Sequence, residues 1–204
     1  MSNPSLTQLS KTALTLEAKN VRLEPLSLKH SADLFEVGKD EAVWQWLYYE
    51  PPASLAEMQA WIQAALDAQA NGLELPFAVL DKASGQCIGT TRLMQINPAH
   101  RSLEIGWTWY GRAYWRTAVN TECKYLLLQY AFESLGCTRV QLKTDLRNER
   151  SQRAIERLGA TREGVLRKER IVPKNGYHRS SVCYSIIDDD WPEVKARLIS
   201  LLRT

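Results

Sequence analysis

The sequence contains no uninterrupted run of 18 apolar residues, so no segment of it is expected to span a membrane. Residues 1–20 lack a basic stretch followed by an apolar one, which excludes a secretory signal from that segment. The four cysteines, Cys87, Cys123, Cys137 and Cys183, form no C-x-x-C and have no histidine at ligand spacing. Neither a metal site nor a disulfide framework is therefore expected. Each sits in an apolar stretch, where cysteine packs as a small hydrophobe. These absences point to a reduced, soluble, cytoplasmic protein. His30, His100 and His178 share no spacing and read as loop or surface residues. With no repeat, low-complexity tract or Pro/Gly/Ser-rich linker, the 204 residues read as one domain over 21–197, with an N-terminal arm (1–20) and a C-terminal tail (198–204).

Two features stand out in what is present. The net charge is only +3, too small for a dedicated DNA binder, but residues 139–179 carry twelve Lys/Arg against five Asp/Glu. That run suits four readings: ligand phosphates, an acidic protein partner, ribosomal RNA, or a solvated face with i, i+4 pairs such as Glu149/Arg153. There are also seven tryptophans, and Trp107, Trp109 and Trp115 fall within nine residues. Such a cluster reads either as core or as the wall of an acceptor pocket.

The periodicity predicts a strand at 21–25 and helices at 28–38 and 54–70, the second opened by Ser54 and Glu57 at capping-box spacing. A meander of strands follows at 76–80, 87–95 and 102–110. In the last of these, Leu103, Ile105, Trp107 and Trp109 alternate with Glu104, Gly106 and Thr108, so Glu104 is expected on the face opposite the tryptophans. A helix through Cys123, Leu126, Leu127 and Tyr130 ends at Gly136, a strand spans 140–144, and a helix at 148–158 ends at Gly159. Strands at 167–172 and 177–187 flank Asn175-Gly176, a primed-turn signal. The order gives an α/β (α+β) fold, a mixed sheet with helices on both faces, because strand–helix–strand forces a parallel pair.

Chemistry concentrates at two helix starts. The strand at 102–110 runs into a helix through residues 110–122, and a helix N-terminus there offers free N–H groups and a positive dipole end to an anion. At the next helix Asn148 reads as an N-cap. Ser151 shares a face with Ala154, Ile155 and Leu158, either as a hydroxyl bonded to backbone or as a functional group.

Glu104-Ile-Gly-Trp-Thr-Trp109, Tyr114-Trp-Arg-Thr-Ala-Val-Asn-Thr-Glu122, Thr144-Asp-Leu-Arg-Asn-Glu-Arg-Ser151 and Leu158-Gly-Ala-Thr-Arg-Glu-Gly164 together resemble the GNAT superfamily of acetyl-CoA-dependent N-acetyltransferases. The branch they resemble acetylates the N-termini of ribosomal proteins, and the resemblance covers 21–197. It implies a GNAT-like fold whose sheet opens between 102–110 and 140–144, with acetyl-CoA as cosubstrate. The cofactor's amide-rich arm would pair with the backbone of Trp107, Thr108 and Trp109, and its pyrophosphate would rest on Trp115, Arg116, Thr117, Ala118, Val119, Asn120 and Thr121. Asn148 would bond the arm, and Ser151 would stabilise the departing thiolate where many relatives use a tyrosine, a position held here by Ile155. The acceptor would be a peptide or protein N-terminus or a small amine, attacking directly in a ternary complex, and a homodimer is common in this branch.

Two departures from the family pattern leave alternatives open. Arg116 and Ala118 replace loop glycines. Ala118 is expected to narrow the site, and Arg116 either compensates by pairing with phosphate or blocks the loop. If the loop is closed, the chain is instead a non-catalytic, weakly CoA-binding module. The family's catalytic Glu position falls on Arg170, one residue past Glu169, so that base does not transfer. Glu104 is then the candidate base, with a plain surface carboxylate as the alternative.

Overall fold

The computed structural model describes Leu6 and residues 14–203. Eight strands form one mixed sheet: β1 (Leu16–Glu17), β2 (Val21–Pro25), β3 (Glu74–Asp81), β4 (Cys87–Asn97), β5 (Ser102–Tyr110), β6 (Arg139–Asp145), β7 (Thr161–Val172) and β8 (Tyr177–Ile187). Their spatial order is β1-β2-β3-β4-β5-β6-β8-β7. Every neighbouring pair is antiparallel except β5–β6, the pair joined by a helical crossover.

Alternation along β3 shows why the sheet is covered twice. Leu75, Phe77 and Val79 enter one core, while Ala78 and Leu80 enter the other. The larger core is closed by α3 (Val119–Gln129), α4 (Glu149–Leu158) and α5 (Trp191–Arg203), through Cys123, Leu127, Ile155, Leu158, Val194 and Leu198. The smaller is closed by α1 (Ser31–Val37) and α2 (Leu55–Ala70), through Leu34, Met58, Ile62 and Ala65, with Trp44 filling the space between them. Helix α2 starts where expected: Ser54 Oγ accepts the Glu57 N–H at 3.2 Å, and the Glu57 carboxylate accepts the Ala53 N–H at 2.9 Å. Gly159 closes α4 at φ +102°, a left-handed value that glycine adopts without strain.

Several boundaries differ from the sequence expectation, each for a local reason. Within the arm drawn at 1–20, Leu16–Glu17 pairs with β2, and the Asn20 backbone N–H and side-chain amide donate to the Glu122 carboxylate at 2.9 and 2.6 Å. Residues 1–5 and 7–13 of that arm lie outside the described residues. The tail drawn from 198 is instead the end of α5, where Leu198 is fully buried, and residue 204 lies outside the described residues. Strand β7 begins at Thr161 rather than 167. Val172 pairs with Tyr177, so four residues, not Asn175-Gly176 alone, make the hairpin turn. His30 is buried, its ring held by the Ser27 N–H and the Glu24 carboxylate, so it is not a surface residue.

Candidate functional site

Strands β5 and β6 pair only over Ser102–Arg139, Leu103–Val140 and Glu104–Gln141, then separate. Beyond that point β5 continues to Tyr110 with one edge unpaired, and a cavity of about 520 Å³ fills the gap. A β-bulge reshapes the strand at this point. Arg92 pairs with Gly106 but Thr90 pairs with Trp109, so Trp107 and Thr108 together oppose Thr91, with Trp107 at φ +49°.

The extra residue inverts the parity downstream. Before the bulge, Leu103 and Ile105 face the larger core, leaving Glu104 on the α1/α2 side. After it, Tyr110 faces the larger core and Trp109 the smaller. Glu104 therefore shares the face of Trp107 and Trp109, contrary to the expectation from simple alternation. It is 6% exposed, lines the cavity, and takes the Lys143 ammonium at 3.2 Å and the Gln141 amide at 3.1 Å. It is thus not a surface strand carboxylate.

Both tryptophans belong to an aromatic wall. Trp109 packs on Trp44 (5.2 Å) and Trp61 (6.1 Å), and Trp107 on Tyr48 (5.5 Å) and Tyr49 (5.7 Å). The Arg92 guanidinium lies 4.9 Å from the Trp61 ring and 4.8 Å from Trp107, with Glu74 at 2.7 Å. Trp109 is therefore both core and pocket wall, whereas Trp107 lines the pocket without entering either core. Thr108 turns the other way: its Oγ1 meets Thr91 Oγ1 at 2.8 Å and accepts the buried Lys124 ammonium at 2.7 Å. Burial lowers the Lys124 pKa to about 8.

At the other mouth, 115–118 leads into α3, which begins at Val119, so Val119, Asn120 and Thr121 form its first turn rather than a loop. Thr117 Oγ1 accepts the Val119 N–H at 3.3 Å, while the N–H groups of Asn120 and Thr121 find no acceptor among the described residues. Trp115, Arg116, Thr117 and Asn120 line the cavity. Three expected contact residues do not: Ala118 is the exposed N-cap, the Val119 side chain is in the core, and Thr121 Oγ1 is taken by Arg157 at 2.7 Å. Ala118 sits at φ −66°, so that position does not demand glycine. The left-handed residue is Arg116, at φ +62°.

Arg150 completes this mouth, its guanidinium 3.5 Å from the Trp115 ring. Partial burial, followed by repulsion from Arg116 and Arg112, pulls its pKa below the usual arginine value. Arg116 and Arg150 have no ion-pair partner among the described residues, so a concentrated positive field faces the α3 N-terminus. The sequence signal was the local charge excess, although it could not single out Arg150.

Asn148 caps α4, its Oδ1 accepting the Ser151 N–H at 3.1 Å, while its amide nitrogen makes no hydrogen bond among the described residues and is free for a ligand. Ser151 lines the cavity, and its hydroxyl makes no hydrogen bond among the described residues; it is not the backbone-bonded hydroxyl that local rules allow. Arg170 lines the cavity, whereas Glu169 is exposed and outside it.

The Acetyltransferase (GNAT) domain family matches residues 20–161. A GCN5-related N-acetyltransferase structure from Brucella melitensis superposes with a TM-score of 0.87 at 35% identity, covering 94% of this chain and 86% of that one. An acetyltransferase candidate from T. thermophilus gives 0.84 at 41% identity, covering 92% and 96%. YdaF of Bacillus subtilis (strain 168), named as a candidate ribosomal N-acetyltransferase, is 27% identical over 175 residues, 83% of this chain and 90% of that relative.

Proposed function

The chain belongs to the acetyltransferase (GNAT) domain family, and on that premise we propose that it moves an acetyl group from acetyl-CoA to a primary amine, by direct attack within a ternary complex. The acceptor is a peptide or protein N-terminus, or a small amine. The observation that carries this reading is the wedge between β5 and β6. Along it run a free backbone edge, an unpartnered hydroxyl at Ser151, and a mouth of arginines without counter-charges.

Each part of that wedge suits one part of the donor. Arg116, Arg150 and the free N–H group of Asn120 match phosphate oxygens, which guanidinium and helix N-termini bind well. The unpaired backbone of Trp107–Trp109 matches an amide-rich chain, which can add to a sheet edge as a strand does. Acetyl-CoA supplies the reactive thioester. Ser151 Oγ–H donates a hydrogen bond to the departing sulfur and stabilises the thiolate, which leaves as CoA and takes its proton from solvent.

Glu104 receives the proton that the amine loses, through water. An α-amino group has a pKa near 8, so a useful fraction is already neutral at pH 7 and only modest help is needed. Lys143 and Gln141 of β6 fix the carboxylate in place.

The non-catalytic alternative rested on Arg116 and Ala118. Ala118 occupies an ordinary conformation and stands clear of the cavity, which leaves only Arg116 in that argument. All four cysteines are free thiols, which suits a reducing cytoplasm. No helix among the described residues is long and apolar enough to cross a membrane.

Calorimetric titration with acetyl-CoA, followed by thiol-release assays over an amine panel, tests the proposal. Binding with CoA release in the presence of an amine supports it. No heat at millimolar acetyl-CoA defeats it. Acetyl-CoA binding without turnover on any amine favours the binding module, as does activity that appears only in Arg116→Gly/Ala118→Gly.

A further inference from the structure

The cavity has a second end, on the α1/α2 side of the sheet, for which acetyl transfer itself assigns no role. It lies between Tyr48 and the β7–β8 hairpin, and Arg179 of β8 lines it while only 6% exposed. The Arg179 guanidinium makes no hydrogen bond among the described residues, and its Nε is buried without an acceptor. Asp145 Oδ2 lies 3.8 Å from that Nε, too far for a hydrogen bond. Asp145 is also engaged elsewhere. Its Oδ1 accepts the Arg147 N–H at 2.9 Å and Nε at 3.2 Å, and its Oδ2 accepts the Arg147 terminal nitrogen at 3.3 Å.

A second guanidinium joins the first. Arg170 pairs with Arg179 across the hairpin and lines the same cavity. The Tyr48 ring lies 4.7 Å from the Arg170 guanidinium and 4.8 Å from that of Arg179, so one aromatic ring gathers both. Asp145 at ion-pair distance offsets part of this charge, but it is shared with Arg147 and leaves the buried Nε donor unsatisfied, so a further anion is favoured here. A carboxylate matches the planar guanidinium fork and supplies the missing acceptors.

Position sets how far that anion lies from the reacting amine. Lys143, which holds Glu104, and Asp145, beside Arg179, are two residues apart on one face of β6, about 7 Å. That span suits an α-amino group and the side-chain carboxylate of the next residue, whereas the α-carboxylate of a free amino acid is attached to the same carbon as the amine and falls short.

Resting on the acetyltransferase reading of the wedge, we propose that Arg179 and Arg170 form an anion subsite for the acceptor, so that the acetylated amine carries a carboxylate within one or two residues. A peptide N-terminus with an acidic second residue fits this end, whereas a polyamine or a basic peptide is repelled.

The test compares a peptide beginning Ala-Glu with its Ala-Gln counterpart, a free amino acid with its amide, and spermidine, all at saturating acetyl-CoA. In parallel, the two peptides are titrated calorimetrically onto the CoA-saturated protein, which reads binding without turnover. The expected kcat/KM for Ala-Glu exceeds that for Ala-Gln at least tenfold, the affinities follow the same order, and spermidine is the poorest acceptor. A free amino acid preferred tenfold over its amide, without a peptide preference, overturns the subsite as placed, because that carboxylate lies too close to the amine to reach it. Arg179→Gln and Arg170→Gln should each shrink the preference below threefold while leaving KM for acetyl-CoA unchanged. Arg170 is exposed, so that variant remains informative if loss of the buried Arg179 prevents folding. Absence of any carboxylate preference in binding and turnover overturns the subsite, as does an undiminished preference in Arg170→Gln or spermidine as the best acceptor. Preferential Ala-Glu binding with no turnover on any amine upholds the subsite and defeats the acetyltransferase reading instead.

Discussion

Glu104 and Trp107 face the same side of β5 although they are three residues apart, because Trp107 at φ +49° inserts one extra residue opposite Thr91. That inserted residue brings a carboxylate and the aromatic wall to one cavity. It also re-aims the backbone of residues 107–109 at the opening between β5 and β6, as bulges do beside active sites.

From this follows the first expected outcome. Glu104→Gln preserves the size and the Gln141 contact but removes the proton acceptor and the charge facing Lys143. At neutral pH and saturating amine, turnover should fall by roughly 10²-fold, within the range for a lost general base, with KM for acetyl-CoA nearly unchanged. Raising the pH should recover part of the rate, because more amine is then neutral without help. Steady-state kinetics from pH 6 to 9 check this, and unaltered turnover removes Glu104 from the mechanism.

Ser151→Ala removes a hydroxyl that bonds nothing in the protein, so folding should be unaffected and thermal stability should move by less than about 0.5 kcal/mol. If the Ser151 hydroxyl stabilises the leaving thiolate by a hydrogen bond, kcat drops by roughly 10- to 100-fold while KM for acetyl-CoA is retained. A loss of stability without a change in kcat would instead make Ser151 a helix-start residue only.

The element order from β2 to β8, the presence of a parallel strand pair and the α4 start at Asn148 were legible in the sequence, because hydrophobic period and capping residues are local signals; β1, α5 and the first turn of α3 were not. The face of Glu104 was not. A bulge depends on a backbone value at Trp107, a residue type with no preference for positive φ, so strict alternation misplaced the carboxylate. The four-residue hairpin turn escaped for a related reason: Asn175-Gly176 reports that a turn exists, but the register of Val172 on Tyr177 is set by the strands. Arg150 and Arg179 were visible only as part of a charge excess. Their roles come from Trp115 and Tyr48, which are distant in the sequence.

Arg116 and Arg150 should be separable by two readouts. Arg150→Ala removes an unneutralised charge beside the α3 N-terminus, so KM for acetyl-CoA should rise about tenfold at low salt and the difference should narrow at high salt. Arg116→Gly relieves a left-handed residue, worth about 1–2 kcal/mol, against a glycine entropy cost of about 0.5–1 kcal/mol, so stability should hold or rise slightly. Its KM for acetyl-CoA should nevertheless increase. A fall in KM for Arg116→Gly would mean that the side chain obstructs the loop.

Lys124 gives a prediction about stability against pH. It is buried in α3, its ammonium bonded to Thr108 Oγ1 at 2.7 Å with no carboxylate partner, and burial lowers its pKa from 10.5 to about 8. Between pH 8 and 10.5 the unfolded chain keeps the proton that the folded chain has released, so this group makes stability rise with pH across that window. Below pH 8 both states are charged and the whole desolvation cost is present, on the order of 3 kcal/mol. Lys124→Met keeps the apolar length and removes the charge, so it should stabilise the protein at pH 7, with a gain that shrinks as the pH approaches 10.5 and then reverses for want of the Thr108 bond. The thiols of Cys87 and Cys123, pushed up to about 12 by burial, make stability fall above pH 9 in both proteins. The informative quantity is therefore the difference between the two denaturation curves at each pH. A difference that does not change from pH 7 to 10.5 would show that Lys124 titrates normally and is not desolvated against Thr108.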